Sequence, residues 1–120
     1  MEGIKLGVVE SRFADIVWGH EPIHSRELAK VCEKELNWKR PTTYTVLRKL
    51  CERGLFQNQN GIVSSVISKQ EFHAMQSERF VEDTFEGSLP AFLTAFTTRK
   101  KLTPEEIAQI RKMVDSYEEG

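Results

Sequence analysis

The pair Asn60-Gly61 limits what this 120-residue chain can become more than any other feature. Both residues tolerate positive φ, and they join two short runs, LFQNQ and IVSSVI, in the pattern of a β-hairpin with a two-residue turn. The other segments with a clear period repeat at three and four residues, so the hairpin is a small ribbon in an otherwise helical protein.

Three helical patterns precede it. Val9, Phe13, Ile16 and Val17 mark an amphipathic helix from Val8 to Trp18 that stops near Gly19. After the breaker GHEP, Ser25 is suited to cap a second helix with the apolar stripe Leu28, Val31, Cys32 and Leu36, ending near Asn37. Pro41 fits the first turn of a third helix and Gly54 the position just past its end. Three helices and then a hairpin is the order of a winged helix-turn-helix. The helix faces, with Leu55, Ile62 and Val66 from the strands, are its expected core.

Beyond Ser68 the strand signals stop. Lys69 to Phe85 reads as a long helix broken at Gly87, and Ser88 can cap a short helix with Leu89, Phe92, Leu93 and Phe96 on one face. Thr103, Pro104 and Glu106 form a capping box ahead of Ile107, Ile110, Val114 and Tyr117. The fold class is therefore mainly α with a small β-wing: a winged helix-turn-helix domain over residues 1–68, followed by an all-helical dimerisation domain over 69–120. So short a tail cannot bury its phenylalanines alone. A symmetric homodimer is the expected solution, with Phe80, Phe85, Leu89, Phe92, Leu93, Phe96, Ile107, Ile110 and Val114 at its interface.

The net charge of -1 hides a polar distribution. Lys39, Arg40, Arg48, Lys49 and Arg53 are opposed only by Glu52 between Asn37 and Gly54, whereas Glu71, Glu78, Glu82, Asp83 and Glu86 are opposed only by Arg79 between Gln70 and Pro90. On a helical wheel the third helix turns Thr43, Val46, Leu47, Leu50 and Cys51 one way and Tyr44, Thr45, Arg48, Lys49 and Glu52 the other, with Thr42 at the seam. A basic face with short hydroxyls, placed after a helix-turn and before a hairpin, suits the major groove of DNA. Guanidinium and ammonium groups neutralise phosphates there, and Thr serves either phosphate or base.

Catalytic or metal chemistry is not expected. His20 and His24 flank Pro22 in a loop without an evident third ligand and read as solvated; His73 lies on a helix among Phe72, Met75 and Gln76. Glu82, Asp83 and Glu86 read as a solvated helix face with no nucleophile nearby, and no phosphate-binding glycine loop or triad is present. No cofactor is implied. No apolar run approaches the roughly 18 residues needed to cross a bilayer, and MEGIKLGVVE lacks the features of a signal peptide. A cytoplasmic protein with reduced Cys32 and Cys51 is expected, without a membrane partner.

The segments WGHEPIHSREL, NWKRPTTYTVLRKLCERGLF, SERFVEDTFEGSLPAFLTAF and LTPEEIAQIRKMVDSYEE together resemble the penicillinase repressor family, which includes the regulators of β-lactamase and methicillin resistance. The resemblance covers nearly the whole chain. It implies a homodimer that represses transcription at dyad-symmetric operators of double-stranded DNA, and it assigns Arg40, Thr42, Thr43, Tyr44, Thr45, Arg48 and Lys49 to the recognition positions. Lys39 joins them by charge. In the drug-resistance repressors a sensor-triggered protease cuts the helical tail between asparagine and phenylalanine; the corresponding pair here is Ala95-Phe96. Two departures stand out: the hairpin sequence QNQNG has no Lys or Arg where family wings are usually basic, and Ala95 stands where the cleaved pair has asparagine. No cysteine follows Cys51, so copper sensing by a Cys-x-Cys tail is not expected. The alternative reading is a winged-helix module that docks on protein without sequence-specific DNA binding.

Overall fold

A computed structural model describes residues 4–119. The elements run α1 (Val8–His20), β1 (Ile23–His24), α2 (Ser25–Leu36), α3 (Arg40–Glu52), β2 (Phe56–Gln59), β3 (Ile62–Ser65), α4 (Lys69–Phe85), α5 (Leu89–Arg99) and α6 (Pro104–Glu119). This is a winged helix-turn-helix followed by helices, as the periodicity predicts. The chain divides into two compact units, Met1–Arg79 and Phe80–Gly120.

In the first unit, Phe13, Ile16 and Val17 of α1, Leu28 and Cys32 of α2 and Leu47 and Leu50 of α3 pack around the ribbon residues Leu55, Phe56 and Val63. Rings reinforce this core. Trp18 meets Phe56 and Phe72 at centroid distances of 5.6 Å each, and its indole N–H donates to the Ile67 carbonyl at 3.1 Å. Phe72, in the first turns of α4, is buried with them.

The hairpin forms where Asn60-Gly61 predicts it, with φ of 54° and 89° at the two turn residues. Its register corrects the expected core. Because Gln59 pairs with Ile62 and Asn58 with Val63, strand alternation turns Val63 inward and leaves Ile62 and Val66 outward at 44% and 56% exposure. Phe56 and Val63 take the places expected of Ile62 and Val66, while Leu55 is buried as expected.

Pairing also reveals a third strand. Ile23 and His24, within the segment expected to be loop, pair antiparallel with Val63 and Ile62 and give the sheet order β1-β3-β2. A two-residue strand is too short to leave a period in the sequence. His24, not Ser25, is the N-cap of α2: its Nδ1 accepts from the Arg26 N–H at 3.1 Å. His20 ends α1 with Nδ1 2.8 Å from the Ile16 carbonyl. Each histidine thus has a local backbone partner instead of projecting freely from a loop.

In the second unit the caps fall where the sequence puts them. Ser88 Oγ accepts from Ala91 N–H at 3.1 Å, and Thr103 and Glu106 exchange hydrogen bonds of 3.0 and 2.9 Å in a reciprocal box. Phe80, Phe85, Phe92 and Phe96 form a cluster with centroid separations of 5.6 to 6.0 Å. Still, no described residue of this unit is fully buried. Phe80, Leu89, Phe96, Ile107 and Val114 are exposed, with Met113 and Tyr117 of α6, and the apolar Val81, Phe85, Phe92, Leu93, Leu102 and Ile110 are half-buried. The single chain leaves these apolar side chains exposed.

Candidate nucleic-acid interface

Helix α3 owes its start to Trp38 and Pro41. Asn37 closes α2 in the left-handed region at φ 56°, which lets the chain reverse at once, and Trp38 then stacks on Phe13 with centroids 5.6 Å apart and planes at 21°. That stack anchors the residue next to Lys39, the N-cap, and Pro41 occupies the first turn, where its missing N–H leaves no bond unmade. The positioning role of Trp38 is not legible from helical period; the stack exists only once α1 packs beside the turn.

Burial separates the two faces of α3 as the wheel predicts. Thr42, Tyr44, Thr45, Arg48, Lys49 and Glu52 are exposed, with Lys39 and Arg40 ahead of them, while Thr43, Leu47 and Leu50 are buried and Val46 and Cys51 half-buried. Among the described residues, Lys39, Arg40, Arg48 and Lys49 make no salt bridge, whereas Lys30 pairs with Glu27, Arg53 with Glu10 and Lys69 with Asp15. Arg53 is tied further by donating to the Lys5 carbonyl at 2.6 Å, so it braces the helix end instead of joining the basic face.

The helix end itself adds to the field. No acid lies in the first turn of α3, and Lys39 and Arg40 stand where the helix dipole is positive. A cation at that end is unfavourable by about 0.3–1 kcal/mol, the reverse of ordinary capping practice. An anion seated there reverses the sign, because the dipole and the two cations then act on it together. The arrangement costs stability in the free protein and suits a phosphate.

Thr43 corrects the resemblance. It is fully buried, and its hydroxyl has no hydrogen-bond partner of ordinary geometry. Its polar neighbour is the Cys32 thiol, a weak donor; burial pushes the Cys32 pKa up, and the Thr43 contact opposes that rise without cancelling it. Burial raises the Cys51 pKa as well. Thr43 therefore belongs to the floor on which α3 rests and presents nothing to a ligand. Thr43→Val, which swaps the orphan hydroxyl for a methyl of the same size, should stabilise the protein by about 1 kcal/mol. The urea midpoint should rise while DNA affinity stays unchanged; a fall in affinity with no change in stability would return Thr43 to the contact surface.

Glu82, Asp83 and Glu86 are exposed on α4 and the turn after it, and no group of three or more His, Cys, Asp or Glu among the described residues is placed to hold a metal ion. Among those residues, no helix is long and apolar enough to cross a membrane.

Comparison with known proteins agrees with this geometry. A model of the penicillinase repressor family matches residues 6–116. The chain is 23% identical over 106 residues to a penicillinase repressor of Bacillus licheniformis, a match covering 85% of this chain and 83% of that protein.

Proposed function

The chain belongs to the penicillinase repressor family and is a DNA-binding transcriptional repressor, and from that premise we propose that it acts as a homodimer, each α3 entering a major groove of a dyad-symmetric operator and the bound dimer occluding a promoter. The unpaired cationic face of α3 carries this reading. Thr42, Tyr44, Thr45 and Arg48 face the bases, and Lys39, Arg40 and Lys49 meet phosphates. Two copies bound to one side of the duplex set half-site centres about 10 bp, or a multiple, apart.

The second unit joins the copies. Its cluster of Phe80, Phe85, Phe92 and Phe96, together with exposed Leu89, Ile107 and Val114 and half-buried Leu93 and Ile110, gains the buried core in a dimer that one protomer lacks. Ala95-Phe96 lies in the middle of α5. A sensor protease cutting there would sever the aromatic cluster, dissolve the dimer and relieve repression.

Salt dependence separates this reading from a winged-helix module that docks on protein. Neutralising about 6 to 8 phosphates per dimer gives log K a slope of about -5 to -7 against log salt. A slope near zero, or no retention on duplex DNA at low salt, would favour the protein-docking module.

A further inference from the structure

The DNA-binding reading leaves the ribbon without a role, and the following inference rests on that reading. From Leu55 to Ser68 the chain has no Asp, Glu, Lys, Arg or His, although 29% of all its residues are charged. A charge-free ribbon beside a basic helix adds no ionic attraction to phosphates, so whatever it contacts is met by hydrogen bonds and shape.

The ribbon's hydrogen-bonding groups are amides. Gln57 donates to Ser64 Oγ at 3.1 Å, and Gln59 donates to Gln57 Oε1 at 3.4 Å, a long bond on an exposed surface. At the tip, Asn58 Oδ1 accepts from Gly61 N–H at 3.0 Å, which commits its oxygen and leaves its amino group outward. The Asn60 side chain makes no hydrogen bond among the described residues and is exposed. The tip thus offers amide donors from Asn58, whose oxygen is engaged, from the second N–H of Gln59 and from Asn60.

It is also held still. At its root the Glu21 carboxylate accepts from both the Ser65 N–H and the Ser65 hydroxyl, each at 2.7 Å. Near its tip the Gly61 carbonyl accepts from Ser25 N–H at 2.7 Å, and the His24 ring lies so close that a Cβ on Gly61 would be 2.7 Å from Nε2. Only glycine fits there. With β1 added as a third strand, the ribbon is braced at both ends and loses little freedom on binding.

We propose that the ribbon enters the minor groove beside the major groove occupied by α3 and reads A·T pairs there through the amide donors of Asn58, Gln59 and Asn60. Only Arg53, Gly54 and Leu55 separate α3 from β2, so the ribbon follows the recognition helix directly. In the minor groove A·T pairs offer acceptors alone, adenine N3 and thymine O2, whereas guanine adds an N2 amino donor that would face the amide donors. Asn and Gln are side chains with which minor-groove proteins make this distinction. Affinity comes from α3 and its cations, and the ribbon supplies preference outside the footprint of α3.

Base analogues test this without altering the protein. In an operator recovered by selection, 2,6-diaminopurine for adenine adds an N2 amino group to the minor groove and leaves the major-groove edge unchanged; inosine for guanine removes it. Scanned one pair at a time, diaminopurine should weaken binding about tenfold, and inosine strengthen it comparably, at a short run of pairs flanking each α3 site. In a Gln59→Ala, Asn60→Gly protein, whose turn retains its positive φ, both effects should shrink below twofold while major-groove changes under α3 keep theirs. Wild-type protein that ignores N2 at every flanking pair, yet still responds to the major-groove changes, overturns the inference and leaves the neutral ribbon for a protein partner. Failure to select any specific fragment would instead overturn the DNA reading on which it rests.

Discussion

Val114→Asp should give a monomer that binds operator about 10²- to 10⁴-fold more weakly than the wild type, because two linked half-site contacts become one. The position isolates the interface. Val114 is 51% exposed in the protomer, so a carboxylate there meets water before association and an apolar partner after it. Phe92 is a poorer choice, since its ring already touches Phe80, Phe85 and Phe96 and a charge would break the protomer's own cluster. Light scattering gives the mass and fluorescence anisotropy the affinity. An undiminished dimer mass would remove Val114 from the interface, and a monomer with full affinity would remove dimerisation from the mechanism.

The second large effect is expected at Arg48. It stands on the exposed face of α3 without an ion pair among the described residues, so truncation orphans no partner there. If each copy reads a base, Arg48→Ala should cost about 1–3 kcal/mol per half-site, about twice that for the dimer, and relax specificity at one symmetric position. Lys49→Ala should behave differently, weakening all sequences alike and flattening the salt slope by about 1 per half-site. Unfolding stability should barely change in either variant, because surface positions away from special features usually move within about 0.5 kcal/mol. Unchanged operator affinity in Arg48→Ala would strike it from the contacts.

The contrast between these variants and Thr43→Val shows which parts of the molecule are legible in the sequence. A long amphipathic helix announces both its faces, so helical period alone separates the exposed set Thr42, Tyr44, Thr45, Arg48 and Lys49 from Leu47 and Leu50. Thr43 falls among the contacts by resemblance and in the interior by the wheel, and burial sides with the wheel. The caps of α5 and α6 are equally readable, because Ser88, Thr103 and Glu106 act within three residues of themselves, whereas α2 is capped by His24 and not by Ser25.

What stays hidden depends on tertiary pairing. Strand phase in β3 is not readable from IVSSVI, since apolar residues occupy both faces, and only the turn register chooses Val63 over Ile62. Strand β1 exists because β3 lies beside it, and His24 is a cap and a brace for the same reason. The Glu21–Ser65 bonds span 44 positions of sequence, and neither residue signals the other. Resemblance, by contrast, carries the functional reading further than local pattern can: a solvated basic helix face is common, and its place in a family of repressors is what gives it a ligand.

The most direct test is to mix the protein with sheared DNA from its own source at about 0.15 M salt, where exposed non-specific contacts are screened, and sequence the retained fragments. A dimeric repressor should retain a small set of fragments sharing an inverted repeat with half-site centres about 10 bp, or a multiple, apart. Even retention of all fragments, or retention of none, would contradict it.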